Sequence, residues 1–213
     1  MEQRKFVVPE VVVGKNVMEL IGRYLGHFGS RKTMIVTDKN ILKLNWFQNI
    51  INNLMKKDIE YIIFDEVSEN PRDYEAMDTY LKACTGMDGL THAIEAYVSN
   101  AASPLTDVHA LKAIELISKA LPNAVSSNKE EVMEDMLMGS LHAGFAFSNA
   151  SLGAVHALAH SLGGVLDLPH GQCNSMLLEH VIDLNFKYAQ DRYKDIALAV
   201  GCEVEALSNE EIK

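Results

Sequence analysis

Two periodicities divide the chain. From Lys5 to Val13, β-forming residues alternate and cluster around Pro9, the pattern of an edge strand or hairpin, because proline donates nothing to a ladder. Val17, Leu20, Ile21 and Tyr24 then recur at helical spacing and predict a helix over 16–25. Lys32 to Thr37 is a short buried-strand run ending in Asp38-Lys39-Asn40. Phe47, Ile50, Ile51 and Leu54 mark a second helix, and Tyr61 to Phe64 a further strand that stops at Asp65-Glu66. Strand, helix, strand is a βαβ unit with a right-handed crossover. Ligands of such sheets bind beyond the carboxyl ends of the strands, where Asp38 falls and where an acidic residue can bond a nucleotide ribose. On spacing alone, a solvated strand-end carboxylate is the preferred reading of Asp38.

After Pro71 the strand pattern ends, and residues 77–213 read only as helices. One runs from Asp78 to Val98 with a break near Gly86. Ser103-Pro104 opens the next, with serine as N-cap, proline at the first helical position and Asp107 in the first turn. Asn128, Glu130 and Glu131 begin a third, which carries Met133, Met136, Leu137 and Phe147. A fourth holds His156 and His160 and breaks near Gly163-Gly164; His170 follows Pro169 in a turn or at the start of a fifth; Asp191 to Val200 is a sixth, stopped by Gly201. The expected fold class is an α/β, Rossmann-like but incomplete N-terminal domain, residues 1–76, followed by an all-α domain, residues 77–213. Two edges look unfinished. Ser208-Asn209-Glu210-Glu211 is a capping box, which normally opens a helix, and so few strands cannot make an open sheet covered on both faces. Further material is expected at the C-terminus and inside the first domain.

Composition narrows the function classes. The 213 residues, 48% apolar and 23% charged, are those of a soluble globular protein of one large or two small domains. A net charge of −10 without a basic block argues against nucleic-acid and anionic-membrane binding. No apolar run reaches membrane-spanning length, and the N-terminus does not read as a signal peptide. Cys84, Cys173 and Cys202 are scattered and odd in number, which favours a reducing, cytoplasmic compartment. Cys173 follows His170 by three residues, but a small buried apolar residue is its preferred reading.

The candidate chemistry lies between Thr85 and His170. Asp88 and His92 are one helical turn apart, as are His156 and His160, so each pair can point two side chains into one space. One carboxylate with several imidazoles suits Fe(II), Zn or a similar divalent ion rather than Mg or Ca. The bland reading of Asp88 and His92 is a capped helix turn with a polar face. Three histidines within fifteen residues, flanked by Gly153, Ala154, Ala157 and Ala159, imply close helix packing around something polar, and a metal satisfies several buried imidazoles at once. His27, His109, His142 and His180 fit exposed or helix-face positions without a role. Hydrolase motifs are absent: there is no His-Glu-x-x-His and no Gly-x-Ser-x-Gly.

Thr85-Gly-Met-Asp-Gly-Leu-Thr-His-Ala-Ile-Glu-Ala-Tyr97 and the block from Gly144 to Gly171 resemble the iron-containing (group III) alcohol dehydrogenases, and Phe6 to Phe64, with Val36-Thr37-Asp38, resembles the start of that family's nucleotide-binding domain. The resemblance implies NAD- or NADP-dependent interconversion of a small alcohol with its aldehyde or ketone at divalent iron or zinc. It places the metal ligands on Asp88, His92, His156 and His170. It gives His160 a part in nicotinamide placement or proton relay, Phe147 a place lining the substrate cleft, and Asp38 the position that favours NAD. A homo-oligomer is expected. The sequence departs from the family where Asp73-Tyr74-Glu75 passes directly into Ala76-Met77-Asp78, without the Gly-Gly-Gly-Ser pyrophosphate loop that phosphate binding at a helix N-terminus requires and without the family's later Thr-rich cofactor contacts. Two other readings therefore stand beside the dehydrogenase: a deletion product that binds metal without turnover, and a dehydroquinate-synthase-like lyase.

Overall fold

The structure is a computed structural model that describes residues 11–65, 78–127 and 129–204. The chain packs as two compact units, Pro9–Asn70 and the remaining residues. Val11 to Val13 carry no regular structure; the rest of the expected Lys5–Val13 strand and the Ser208 capping box lie outside the described residues.

In the first unit, a 3-10 turn Val17–Leu20 leads into α1 (Ile21–His27), followed by β1 (Lys32–Val36), α2 (Asn45–Met55) and β2 (Glu60–Phe64). The expected helix over 16–25 begins as a tighter turn because Asn16 enters in the left-handed region, φ 61°, and caps nothing with its side chain. Strands β1 and β2 pair in parallel, from Lys32 opposite Glu60 to Val36 opposite Phe64, so the βαβ reading holds. Helix α2 turns Phe47, Ile51 and Leu54 inward, the face its apolar spacing marks. Met34, Val36, Ile62 and Phe64 stand exposed, as a sheet of two strands leaves them.

The second unit is helical: α3 (Asp78–Val98), α4 (Pro104–Ala124), α5 (Glu130–Ala150), α6 (Ala154–Leu166), α7 (His170–Asn185) and α8 (Gln190–Val200). Helices α3, α4 and α5 pack against one another, α7 lies on α3 and α6, and α8 lies on α4. Small residues bring the first three close. Gly139, Ala143, Ala146 and Ala150 are buried at helical spacing on α5 and meet Ala110, Ala113 and Ile114 of α4 and Ala93 and Ala96 of α3 in one core. Ser103 caps α4 in a reciprocal box with Thr106, and Pro104 occupies the first turn. Gly201, at φ 98°, ends α8. Arg192 anchors α8: its Nε donates to the Tyr97 carbonyl at 2.6 Å, its guanidinium pairs with Asp107, and it lies over the Tyr97 ring.

Two expected breaks are corrected. Helix α3 runs unbroken through Gly86, and α6 runs unbroken through Gly163 and Gly164 to a left-handed Asp167. A glycine costs a helix about 1 kcal/mol, and tertiary contact outweighs that cost here. A Cβ at Gly86 would overlap Leu121 of α4, and one at Gly163 would press on the Leu168 carbonyl at 3.2 Å. Among the described residues, no helix is long and apolar enough to cross a membrane.

The tightest crossing is that of α3 and α7. A Cβ at Gly171 would overlap the backbone carbonyl of Cys84, which cannot swing aside as a side chain can. Gly171→Ala should therefore lower unfolding free energy by about 1–3 kcal/mol in a denaturant titration; a variant as stable as the parent would show that α3 and α7 do not meet this closely.

Candidate metal centre

The close crossing sets Asp88, in the middle of α3, against the first turn of α7. Asp88 Oδ1 lies 3.5 Å from His170 Nε2 and 3.5 Å from His156 Nε2, the latter on the buried side of α6. His92, one turn after Asp88, stacks its ring 4.1 Å from that of His156. Donor atoms of Asp88, His92 and His156 all lie within 4.8 Å of one another, wholly inside the helical unit. His170 joins them through Asp88 rather than as a fourth member of that compact set.

Hydrogen bonds fix which ring nitrogen faces inward. His92 Nδ1 is 2.9 Å from the Asp88 carbonyl, which can only accept, so Nδ1 carries the proton and Nε2 the lone pair. His156 Nδ1 is 2.6 Å from Glu95 Oε2, which can only accept, so Nδ1 carries a proton and Nε2 is the nitrogen turned toward Asp88. Asn174, fully buried one turn after His170, reaches into the same space. Its Nδ2 is 2.6 Å from Asp88 Oδ1, 3.2 Å from His156 Nε2 and 3.1 Å from His170 Nε2. One amide nitrogen thus serves three neighbours, while Asn174 Oδ1, also buried, meets no donor. A carboxylate and imidazoles converging in a half-buried place, with a buried amide oxygen of Asn174 unsatisfied, match the chemistry of a divalent transition ion, and these donors fit iron or zinc.

Charge agrees. Burial would raise the Asp88 carboxyl, but His156 and the neighbouring His92, His170 and Asn174 hold it below the usual range, so it is ionised. Burial pushes the imidazoles of His92 and His170 down against the pull of Asp88, which leaves both neutral and able to donate a lone pair. For His156 burial acts downward too, but hydrogen bonds to Asp88 and Glu95 outweigh it and carry the ring up to about 9. A metal must therefore displace a proton at His156.

The other expected residues fall as follows. Phe147, on α5, sets its ring 4.4 Å from that of His92. His160 is exposed on α6 and stacks on His170 at 4.8 Å, at the rim. Asp38 belongs to the other unit, where its Oδ1 accepts from the Asn40 and Ile41 amides at 2.7 and 3.0 Å and caps the turn Ile41–Lys43. Cys173 is buried and its thiol is pushed up by burial, in keeping with its apolar reading. His109 and His142 are not lone helix-face residues: their Nδ1 atoms are 2.8 Å apart across α4 and α5. Glu95 and Asn174 escaped the sequence reading. The available signals were their places one turn after His92 and His170.

Comparison with known proteins identifies the family. The family model "Fe-containing alcohol dehydrogenase family, C-terminal" matches residues 82–213, more than half of the chain, and "Iron-containing alcohol dehydrogenase" matches residues 9–85. The chain belongs to the iron-containing alcohol dehydrogenase family. It is 50% identical over 137 residues to alcohol dehydrogenase 4 of Schizosaccharomyces pombe, covering 63% of this chain and 32% of the relative. It is 41% identical over 172 residues to lactaldehyde reductase of Escherichia coli K12, covering 73% and 45%. The chain thus spans less than half the length of these curated relatives. A crystal structure of 1,3-propanediol oxidoreductase superposes with a TM-score of 0.92 at 27% identity, over 99% of this chain and 83% of that one. The architecture, an α/β segment and then a helical domain, is the one expected, and family membership sets the lyase reading aside.

The charges imply a pH window. The raised His156 stabilises the chelator-treated protein fully below its ordinary value of 6.5, and that contribution is lost as pH rises through about 9. The lowered Asp88 and Glu95 stabilise it above their ordinary values of 3.8 and 4.5, a contribution lost as pH falls further. Thermal unfolding of chelator-treated protein should show its best stability between those limits and decline toward pH 9. His156→Gln should flatten the alkaline decline; an unchanged decline would assign it to other groups.

Proposed function

We propose that this chain carries the metal-holding part of an oxidoreductase that interconverts a small alcohol and its aldehyde or ketone with NAD or NADP. The observation behind this reading is the convergence of Asp88, His92, His156 and His170, three imidazoles and one carboxylate, on one half-buried place inside a helical domain of this family. These four residues would hold Fe(II) or zinc. Such an ion supplies Lewis acidity that lowers the pKa of an alcohol, and the nicotinamide supplies the hydride acceptor.

The remaining parts belong to the chain. Asp88 brings one negative charge to the donor set, and neutral His92 and His170 bring lone pairs without adding charge. The Phe147 ring against His92 gives the site an apolar wall that excludes water. His160, exposed and stacked on His170, passes the alcohol proton outward and helps place the nicotinamide. Asp38, at the carboxyl end of β1, would face the ribose of NAD. The division of labour is a partial nucleotide-binding domain, 1–76, and a metal-binding domain, 77–213. A cytoplasmic homo-oligomer is part of the same proposal, its compartment supported by the odd, scattered cysteines Cys84, Cys173 and Cys202.

A second reading, metal binding without turnover, is favoured by one feature. The described sheet has two strands, and the sequence carries no glycine-rich pyrophosphate loop. Metal analysis and NADH formation from short primary alcohols test both. The purified chain should retain stoichiometric iron or zinc, and His156→Ala or His170→Ala should abolish that retention. Unchanged stoichiometry in either variant would sink the site. NADH formation separates the enzyme from a metal-binding domain without activity.

A further inference from the structure

Three polar side chains of α3, Asp88, His92 and Glu95, recur at spacings of four and three and form one stripe along the helix, which Ser99, the residue just past its end, follows at a spacing of four. Asp88 and His92 face the donor cluster. The other two grip the connection between α5 and α6. Ser99 Oγ donates to the Ala150 carbonyl at 2.6 Å. Glu95 Oε1 accepts from the Val155 amide at 2.7 Å, and the Gly153 amide also bonds this carboxylate. Helix α6 has no cap of its own, because Gly153 stands at its N-cap without a side chain. A carboxylate from another helix performs that task. The connection is also strained, with Ser151 at φ 68° and ψ 179°, a region that glycine favours and that surrounding contacts must hold.

The second oxygen of Glu95 accepts from His156 Nδ1 at 2.6 Å, and Glu95 is only 3% exposed. One carboxylate thus fixes both the first amides of α6 and the ring one turn further on. We infer that Glu95 is a positioning residue for metal retention: clamped by the α6 amides, it holds the Nδ1 proton of His156 and orients the ring so that Nε2, the nitrogen a metal would take, points toward Asp88. This inference rests on the metal reading above. The glycine at 153 is part of the device, since a Cβ there would lie 2.7 Å from Glu95 Oε1. A glutamine has the right shape but a single acceptor oxygen. Its NH2 must either oppose the backbone amides, donor against donor, or face His156 Nδ1 and draw the ring proton to Nε2, where it blocks coordination.

Glu95→Gln and Gly153→Ala, made in the full chain, test this. Zinc affinity is measured by competition with a chromophoric chelator, and the His156 tautomer by nitrogen-15 NMR on chelator-treated protein above pH 9, where the ring is neutral. Both variants should bind zinc about 10–100-fold more weakly, and Glu95→Gln should move the His156 proton from Nδ1 toward Nε2. Parent-like affinity with the proton still on Nδ1 overturns the inference. So does a loss of thermal stability with unchanged affinity, which would leave Glu95 as a helix cap only. Should Glu95→Gln fail to fold, Gly153→Ala, altered at an exposed backbone position, decides by the same affinity measurement. A parent chain that takes up no zinc sinks the metal reading instead, and the tautomer comparison then decides the role of Glu95.

Discussion

Where α3 crosses α7, the Cys84 carbonyl comes so near Gly171 that nothing larger than hydrogen fits between them. The position of the donor cluster follows from that crossing. His170 is the first residue of α7 and Asp88 lies one turn beyond Cys84, so the crossing brings the carboxylate within 3.5 Å of the imidazole. Asn174, one turn further along α7, enters the same space. The approach is made at a glycine rather than by long side chains, so the geometry is set by backbone against backbone and leaves little room to relax.

Around this crossing the protein concentrates polar groups that a hydrophobic interior would not tolerate without partners. Thr91, Glu95, His156 and Asn174 are all buried beside an alanine-rich core. Glu95 answers His156 and the amides that open α6, and Asp88 answers His156, His170 and Asn174, so each buried charge faces an opposite charge or a donor. Asn174 Oδ1 is the buried side-chain polar atom among the described residues left without a hydrogen-bond partner, and the amide nitrogen of the same side chain reaches Asp88, His156 and His170. The close packing of α3, α4 and α5 through Gly139, Ala143 and Ala146 gives this arrangement a stiff backing.

Much of the architecture could be read from sequence because the relevant signals are local. Ser103-Pro104 and Gly201 announce helix ends by their own chemistry, and the alternation from strand to helix to strand announces a parallel pair before any partner is known. Asp88 with His92 was legible for the same reason, a spacing of four on one helix. What the sequence did not disclose depends on contacts between distant segments. Gly86 and Gly163-Gly164 look like breaks until Leu121 and Leu168 are seen pressing on Gly86 and Gly163. Glu95 looks like one more surface charge in Ala-Ile-Glu-Ala until α6, some sixty residues on, arrives above it. His109 and His142 meet across two helices, with no spacing rule to join them.

The central claim is that a divalent ion is held here by imidazole nitrogen and carboxylate oxygen alone. X-ray absorption at the metal edge of zinc- or iron-loaded protein tests it most directly. The account requires a coordination shell of nitrogen and oxygen with the multiple scattering of several imidazole rings and no sulfur. A sulfur scatterer, which would point to buried Cys173 or Cys84, or a shell without imidazole scattering, would contradict it.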